Sequence, residues 1–423
     1  MTHDELIISY AVKINGGSGV LVSALSQDYT YVLTAKHVLT STNQVQVTRS
    51  GLPLQVIDQP YFHPTLDCAL IKVEFQKDVK QRNWLDSLPT GAAFSFAGFP
   101  NTNVNTNIPY KIYTGLLNST LDGVVVCNLN NSPAQESIVG MSGGGLYHVC
   151  NGYPYLVGVQ YRMDDEEEHL RWGRIRCFSL AIFEDIITQQ NLAPMAPSFM
   201  ADFSQLREDI FYFNAANPDN VKKLHNKLNE FAEFLIAQGL PSPHELMTRY
   251  NKKLLVEQEE TQAAVLDKEL WVAYFEFVII CALIDDQKNI DEDYIKGLDK
   301  RRRFVYSGSN AHWIRYLSEI LKAAKSMLDE HGIMIISSPQ EDAPCFPDEE
   351  DLDDVIDDIA SAPTAGIGGR IDDVHSEVYK TYTVAHMKGL CNKYVLTKHR
   401  EYGQALPSRQ LPIFRDYYNE VIK

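Results

Sequence analysis

Between residues 7 and 178 the chain is a succession of short apolar and β-branched runs, separated by turn formers at intervals of roughly 8–12 residues. The runs cover 7–25, 29–33, 44–47, 54–58, 69–75, 93–99, 110–116, 123–129, 145–149, 155–163 and 173–178. Within the first, Asn15-Gly16-Gly17 sits between apolar stretches, a strong signal for a hairpin turn. So regular a series predicts an all-β barrel or sandwich. A helical stretch over 182–189 closes it, and 191–203, with Pro194 and Pro197, reads as a linker.

Beyond that point the period changes. Val221, Leu224, Leu228, Phe231, Leu235 and Ile236 recur at helical spacing until Gly239 and Pro241 stop the run. Ser242-Pro243-His244-Glu245 then supplies an N-cap, a first-turn Pro and a capping-box Glu. Stretches 266–284 and 313–328 are also helical, and 374–423 reads the same way. Segment 348–358 is dense in acid yet keeps Leu352, Val355, Ile356 and Ile359 on one face. Small, Gly-rich 361–370 reads as mobile. The expected architecture is multi-domain, β then α: a domain over 1–190, a linker over 191–204, and a mainly α-helical region over 205–423. That last region carries a mobile segment near 338–372.

A formal net charge of −17, concentrated in the second half, argues against a nucleic-acid-binding surface. Lys300-Arg301-Arg302-Arg303 is a basic island that reads as a solvated helix edge. The start, Met-Thr-His-Asp-Glu, lacks the pattern of a secretory leader, and the apolar run 271–284 is too short to cross a bilayer and contains Glu276. A cytoplasmic protein without membrane contact is expected. Seven cysteines, odd in number and scattered, lack metal-ligand spacing and read as reduced thiols. No metal and no cofactor are expected; 285–293 lacks the Gly and terminal Glu of a calcium loop.

Gly140-Met141-Ser142-Gly143-Gly144-Gly145 frames a serine in glycines. Glycine reaches backbone conformations that let two N–H groups converge on one small space, which an oxyanion hole needs. Upstream, His37 follows a strand in Thr34-Ala35-Lys36-His37, and Asp67 heads the strand Cys68-Ala69-Leu70-Ile71. Taken singly, each has an ordinary structural explanation: a glycine turn, a structural histidine, a turn aspartate. In the order His, Asp, Ser they specify a base, an orienting acid and a nucleophile. Ser142 is a poor nucleophile unless His37 removes its proton; Asp67 holds the imidazole tautomer; the N–H groups of Gly140 and Ser142 hold the oxyanion.

Gly19-Val20-Leu21-Val22, Thr34-Ala35-Lys36-His37, Asp67-Cys68-Ala69-Leu70, Phe96-Ala97-Gly98-Phe99-Pro100 and Gly140-Met141-Ser142-Gly143-Gly144 resemble the trypsin-like, chymotrypsin-fold serine peptidases, in their HtrA-like branch. The resemblance covers roughly 5–190 and implies two six-stranded β-barrels, with His37, Asp67 and Ser142 acting on a protein or peptide substrate. It also implies Glu136, six residues before the serine, as a buried carboxylate at the base of the S1 pocket, with Tyr161 on the substrate-binding strand 157–163. Together with the acidic loop 164–168 this favours Arg or Lys at P1, and makes Arg370 a self-cleavage candidate. Two features depart from the pattern. Met141 stands where secreted members carry an activating Asp, and no PDZ-like module follows.

In the second half, Tyr274-Phe275-Glu276-Phe277-Val278-Ile279-Ile280, Arg303-Phe304-Val305-Tyr306-Ser307 and Trp313-Ile314 resemble the C-terminal domain of ABC-three-component (Lamassu-type) bacterial defence proteins. This implies an SMC-like ATPase partner and a small accessory subunit, with the peptidase as the effector. A catalytically inactive scaffold and a stand-alone housekeeping protease remain open readings.

Overall fold

The computed structural model describes residues 2–40, 45–84, 88–104, 106–150, 152–163, 173–256, 262–309, 312–360 and 381–422. It divides into two units, Met1–Ala201 and Asp202–Lys423. In the first, Asn15 takes the left-handed region (φ 46°), and the chain reverses between β1 (Ala11–Ile14) and β2 (Gly17–Ser23), with Ile14 opposite Gly17. β3 (Tyr29–Thr34), β4 (Val47–Arg49), β5 (Leu52–Leu54), β6 (Tyr61–Phe62) and β7 (Ala69–Glu74) complete an antiparallel sheet of order β5-β4-β1-β2-β3-β7-β6. Just past β5, a bridge from Val56 to Val73 returns that edge to β7 and closes a ring of six strands. β6 lies outside the ring.

The second barrel repeats the solution. β8 (Arg82–Asn83), β9 (Ala93–Gly98), β10 (Lys111–Leu121), β11 (Val124–Leu129), β12 (Gly145–Cys150), β13 (Tyr153–Met163) and β14 (Arg174–Ser179) run in the order β12-β9-β10-β11-β14-β13-β8. A further pairing of β12 with β13 closes six of them, and β8 adds in parallel outside. Closure removes exposed edges, which short strands otherwise leave open. Phe96, Cys127, Leu146, Ile175 and Cys177 fill this barrel; Val12, Ile14, Val20, Leu33 and Ile71 belong to the core of the first. This is the double-barrel architecture expected for chymotrypsin-like proteases.

One local expectation is corrected. Residues 7–10 belong to a helix, α1 (His3–Tyr10), not to a strand. Thr2 accepts from the Glu5 N–H while Glu5 accepts from the Thr2 N–H, and this reciprocal capping box nucleates the turn that apolar Ile7 and Ile8 then extend. The stretch after α3 (Leu180–Gln189) is hydrogen-bonded to the first barrel: Met195 bridges Ala24, Leu25 N–H donates to Pro194 O at 2.9 Å, and Ala196 N–H to Ser23 O at 2.8 Å.

The second unit is largely helical, with α4 (Pro218–Ala237), α5 (Pro243–Tyr250), α6 (Lys268–Ile284), α7 (Glu292–Arg301), α8 (Leu317–Met327) and α9 (Glu349–Ala360). It also holds a parallel sheet that the helical reading lacks: β15 (Arg302–Tyr306), β16 (Ile333–Ser337) and β17 (Thr383–His386), in that order. Phe304-Val305-Tyr306 and Ile333-Met334-Ile335-Ile336 are buried on both faces. Such strands read as continuous apolar runs, without the alternation that marks a half-exposed strand. β17 likewise interrupts the helical reading of 374–423.

Half of the basic island is interior: Lys300 and Arg301 are exposed at the end of α7, whereas Arg302 and Arg303 begin β15 and are buried. Arg302 pairs with Asp285 at 2.8 Å, and Arg303 lies 3.6 Å from Asp299 with its guanidinium over Tyr250. Ser338 and Ala343, at the start of the segment expected to be mobile, are buried. Residues 361–372, including Arg370, lie outside the described residues, as does the acidic loop 164–168. Among the described residues, no helix is long and apolar enough to cross a membrane.

His386, at the end of β17, is fully buried; its Nε2 lies 2.9 Å from Ser338 Oγ, and the Trp313 ring stacks on it. Burial, with Lys388 and His312 nearby, pushes its pKa down to about 3 from the ordinary 6.5. The unfolded state therefore binds the extra proton first as pH falls. Stability tied to neutral His386 is complete above pH 6.5 and is lost progressively toward pH 3. Thermal melts of the full chain, read by tryptophan fluorescence, are expected to weaken below about pH 6, and His386→Gln to flatten that dependence. A variant with the wild-type slope would refute the assignment.

Candidate active site

β3 runs directly into the short helix α2 (Lys36–Thr40), so His37 is carried at the end of a barrel strand. Asp67 lies two residues before β7, the strand hydrogen-bonded to β3. The shared register brings the two side chains together: His37 Nδ1 is 2.7 Å from Asp67 Oδ2. The other carboxylate oxygen accepts the His37 backbone N–H at 2.9 Å, and Lys36 N–H donates to Asp67 O. Both carboxylate oxygens are thus engaged by one residue, which locks the ring orientation. The side chains remain 49% and 37% exposed, so the pair can be reached by a substrate.

Ser142 lies in the turn leading into β12, and every carbonyl from Ile138 to Ser142 has a partner. Ile138 O accepts from Met141 N–H, Val139 O from Asn101 N–H, and Met141 O from Gly144 N–H, each at 2.8 Å. Gly140 O accepts from the Ser18 hydroxyl at 2.9 Å, and Ser142 O from the Ser18 N–H at 2.8 Å. On the donor side, Val139 N–H reaches Gln135 O at 3.0 Å and Gly143 N–H reaches Gln160 O at 2.7 Å. Among the described residues, the N–H groups of Gly140 and Ser142 donate to no protein acceptor. A loop so paired can offer these two donors to a bound acceptor.

Ser18 and Thr34 are functional candidates that sequence reasoning missed. Ser18 is fully buried in β2. Besides its two bonds to the loop, its hydroxyl accepts from Phe99 N–H at 2.8 Å, and its carbonyl accepts from the Thr34 hydroxyl at 2.7 Å. One residue of the first barrel therefore holds the Ser142 turn of the second. The available signal was its own glycine frame, Gly17-Ser18-Gly19. A Cβ on Gly17 would stand 2.6 Å from Val38, the neighbour of His37, and 3.2 Å from Ser142 O, so the missing side chain lets α2 and the serine turn approach.

Met141 replaces charge by burial. Its side chain is wholly enclosed in the core of the second barrel, with Phe96, Ile138 and Leu146 in the same cluster. Burying a side chain of this size contributes about 1.5–3 kcal/mol. The turn is anchored by apolar packing.

The proposed S1 residues fare differently. Glu136 lies in the 3₁₀ turn Gln135–Ser137 and is exposed, so the premise of a buried carboxylate is not met. Water screens such a group, which weakens any preference it imposes for a basic side chain. Tyr161 is buried in β13 and stacked on Phe178, with centroids 4.0 Å apart.

A family model for C-terminal domain 4 of the ABC-three component (ABC-3C) systems matches residues 177–396, just over half of the chain. The protein belongs to this family. Its N-terminal half is similar to several solved proteases. The active form of the Rv3671c protease from M. tuberculosis is 16% identical over 46% of this chain and 86% of its own, with a TM-score of 0.35. A serine endoprotease from Yersinia pestis is 20% identical over 45% and 68%, with a TM-score of 0.34. The HtrA-type protease AlgW, solved with a decapeptide, is 17% identical over 41% and 51%, with a TM-score of 0.32. Among curated proteins, none matches the sequence.

Gly143 tests the geometry of the turn. It has φ +90°, and a Cβ there would stand 1.9 Å from Ser18 O and 2.3 Å from Thr34 Oγ1. Gly143→Ala is expected to cost at least about 2 kcal/mol, because strain and a backbone collision add. Urea unfolding of the full chain measures it; a midpoint equal to wild type would contradict the clamp.

Proposed function

We propose that this protein is the peptidase effector of an ABC-three-component defence system, a cytoplasmic serine endopeptidase acting through His37, Asp67 and Ser142. The observation that carries the reading is the nucleophile turn, with all its carbonyls paired and the N–H groups of Gly140 and Ser142 withheld, in a chain whose His37 is already bound to Asp67.

The chemistry follows from those parts. With Nδ1 committed to Asp67, His37 Nε2 is the nitrogen that takes the Ser142 proton as Oγ attacks the scissile carbonyl. Asp67 stabilises the imidazolium that forms. The carbonyl oxygen gains negative charge and accepts from Gly140 and Ser142 N–H, donors already fixed by the loop, so that little reorganisation is needed in the transition state. His37 returns the proton to the leaving amine as the C–N bond breaks, and water then hydrolyses the acyl-enzyme by the same path. Ser18 is a positioning residue here: it holds the carbonyls flanking Met141 and so aims the donors on either side of them.

Membership of the ABC-3C family supports assembly with other components. We assign the second unit the docking of an SMC-like ATPase and a small accessory subunit. Because burial anchors Met141, activation is expected to come through those partners.

A fluorophosphonate probe on the assembled complex is expected to label Ser142, and Ser142→Ala to abolish the label. Ser18→Ala is expected to keep the site but slow labelling about tenfold or more, through loss of donor alignment. Absence of label in the assembled and triggered complex would exclude the enzyme and leave a binding scaffold.

A further inference from the structure

Among the described helices, the most apolar carries a carboxylate in its middle. α6 buries Leu270 through Phe275 and Phe277 through Ala282. Glu269, Val272, Ala273, Glu276 and Ile280 share one of its faces by their spacing, and that face lines a cavity of about 570 Å³ in the second unit. This volume lies in the range of small-ligand sites, about 300–1,000 Å³.

The walls come from three places. Opposite α6 stand the carboxyl ends of the parallel strands: Tyr306 ends β15, Ser337 ends β16, and Lys388 follows β17 closely. Parallel sheets place ligands at this edge, where the strands stop and the chain turns away. The third wall is the segment 208–214. Here Phe211 takes the left-handed region (φ 53°), costly for an aromatic residue, and its N–H donates to the Glu276 carboxylate.

The charges inside do not balance. Lys388 donates to Pro339 O at 3.0 Å and to Glu341 at 2.8 Å, and Asp209 is paired with Lys268. Among the described residues, no Lys or Arg forms an ion pair with Glu208, Glu269 or Glu276. Burial pushes the Glu276 carboxyl up to about 7, with Glu269 adding to it and the Phe211 N–H and the Lys388 charge opposing it, the response of a carboxylate without an ion-pair partner. Phe211, Tyr212, Tyr306 and Tyr418 line the same space. Aromatic rings beside uncompensated carboxylates form a receptor for a desolvated cation.

We propose that this cavity binds an organic cation, a guanidinium or primary ammonium on a short apolar stem, with Glu276 as its anchor. The cation comes either as a free small molecule or as an Arg or Lys side chain of a partner component, and both use the same contacts. The site lies apart from Ser142 in sequence and in chemistry, and does not rest on the peptidase reading.

The test is calorimetric titration of the full chain carrying Ser142→Ala, with agmatine and, separately, with the capped tripeptide acetyl-Gly-Arg-Gly-amide. Saturable one-to-one binding, weakened at least tenfold by Glu276→Gln, is expected for one of the two. Tighter binding of agmatine identifies a free ligand, and tighter binding of the tripeptide identifies a side chain. Ala273→Leu, on the same helix face, narrows the cavity without touching charge and should abolish binding as well. That variant keeps the test valid if Glu276→Gln fails to fold. Failure of both probes to bind, or binding unchanged in both variants, would overturn the site.

Discussion

The clamp made by Ser18 is the contact on which the first unit turns. A single buried residue spends its N–H, its carbonyl and its hydroxyl on structures of both barrels. Without it, the carbonyls of Gly140 and Ser142 would lose their partners, and buried unpaired carbonyls cost enough to drive local rearrangement. Each remaining feature of the turn is compatible with that one contact. Gly143 leaves room for Ser18 O, Gly17 leaves room for Ser142 O, and Gly140 adopts a positive φ that aims its carbonyl at Ser18.

The second constraint is the way the turn is anchored from below. A charged residue at Met141 would need a counter-charge; a methionine needs only an apolar hole, and the second barrel supplies one. That packing anchors the loop without an ion pair at this position.

The second unit follows a different physical rule. Its sheet is parallel, so its strands are covered on both faces and end together at one edge. α6 supplies an apolar wall there, and among the described residues Glu276 is left in it without an ion-pair partner. A lone carboxylate in such a place is costly to the fold, which makes it informative about what the fold retains it for.

By itself the sequence determined what local chemistry and period decide. The spacing of short apolar runs specified an all-β barrel or sandwich, Asn15-Gly16 specified the first hairpin, and positions 37, 67 and 142 supplied an imidazole, a carboxylate and a hydroxyl in that order. Tertiary structure alone decided the rest. Ser18 meets Gly140 across 122 positions of chain, and no local pattern encodes such a contact. Exposure of Glu136, burial of Arg302 and Arg303, and the parallel sheet depend likewise on which neighbours arrive from elsewhere. Period-2 alternation vanishes when both faces of a strand are buried, so β15 and β16 resemble helix segments until their partners are known. Burial is a property of the whole fold, and the chain reveals it only where one face remains wet.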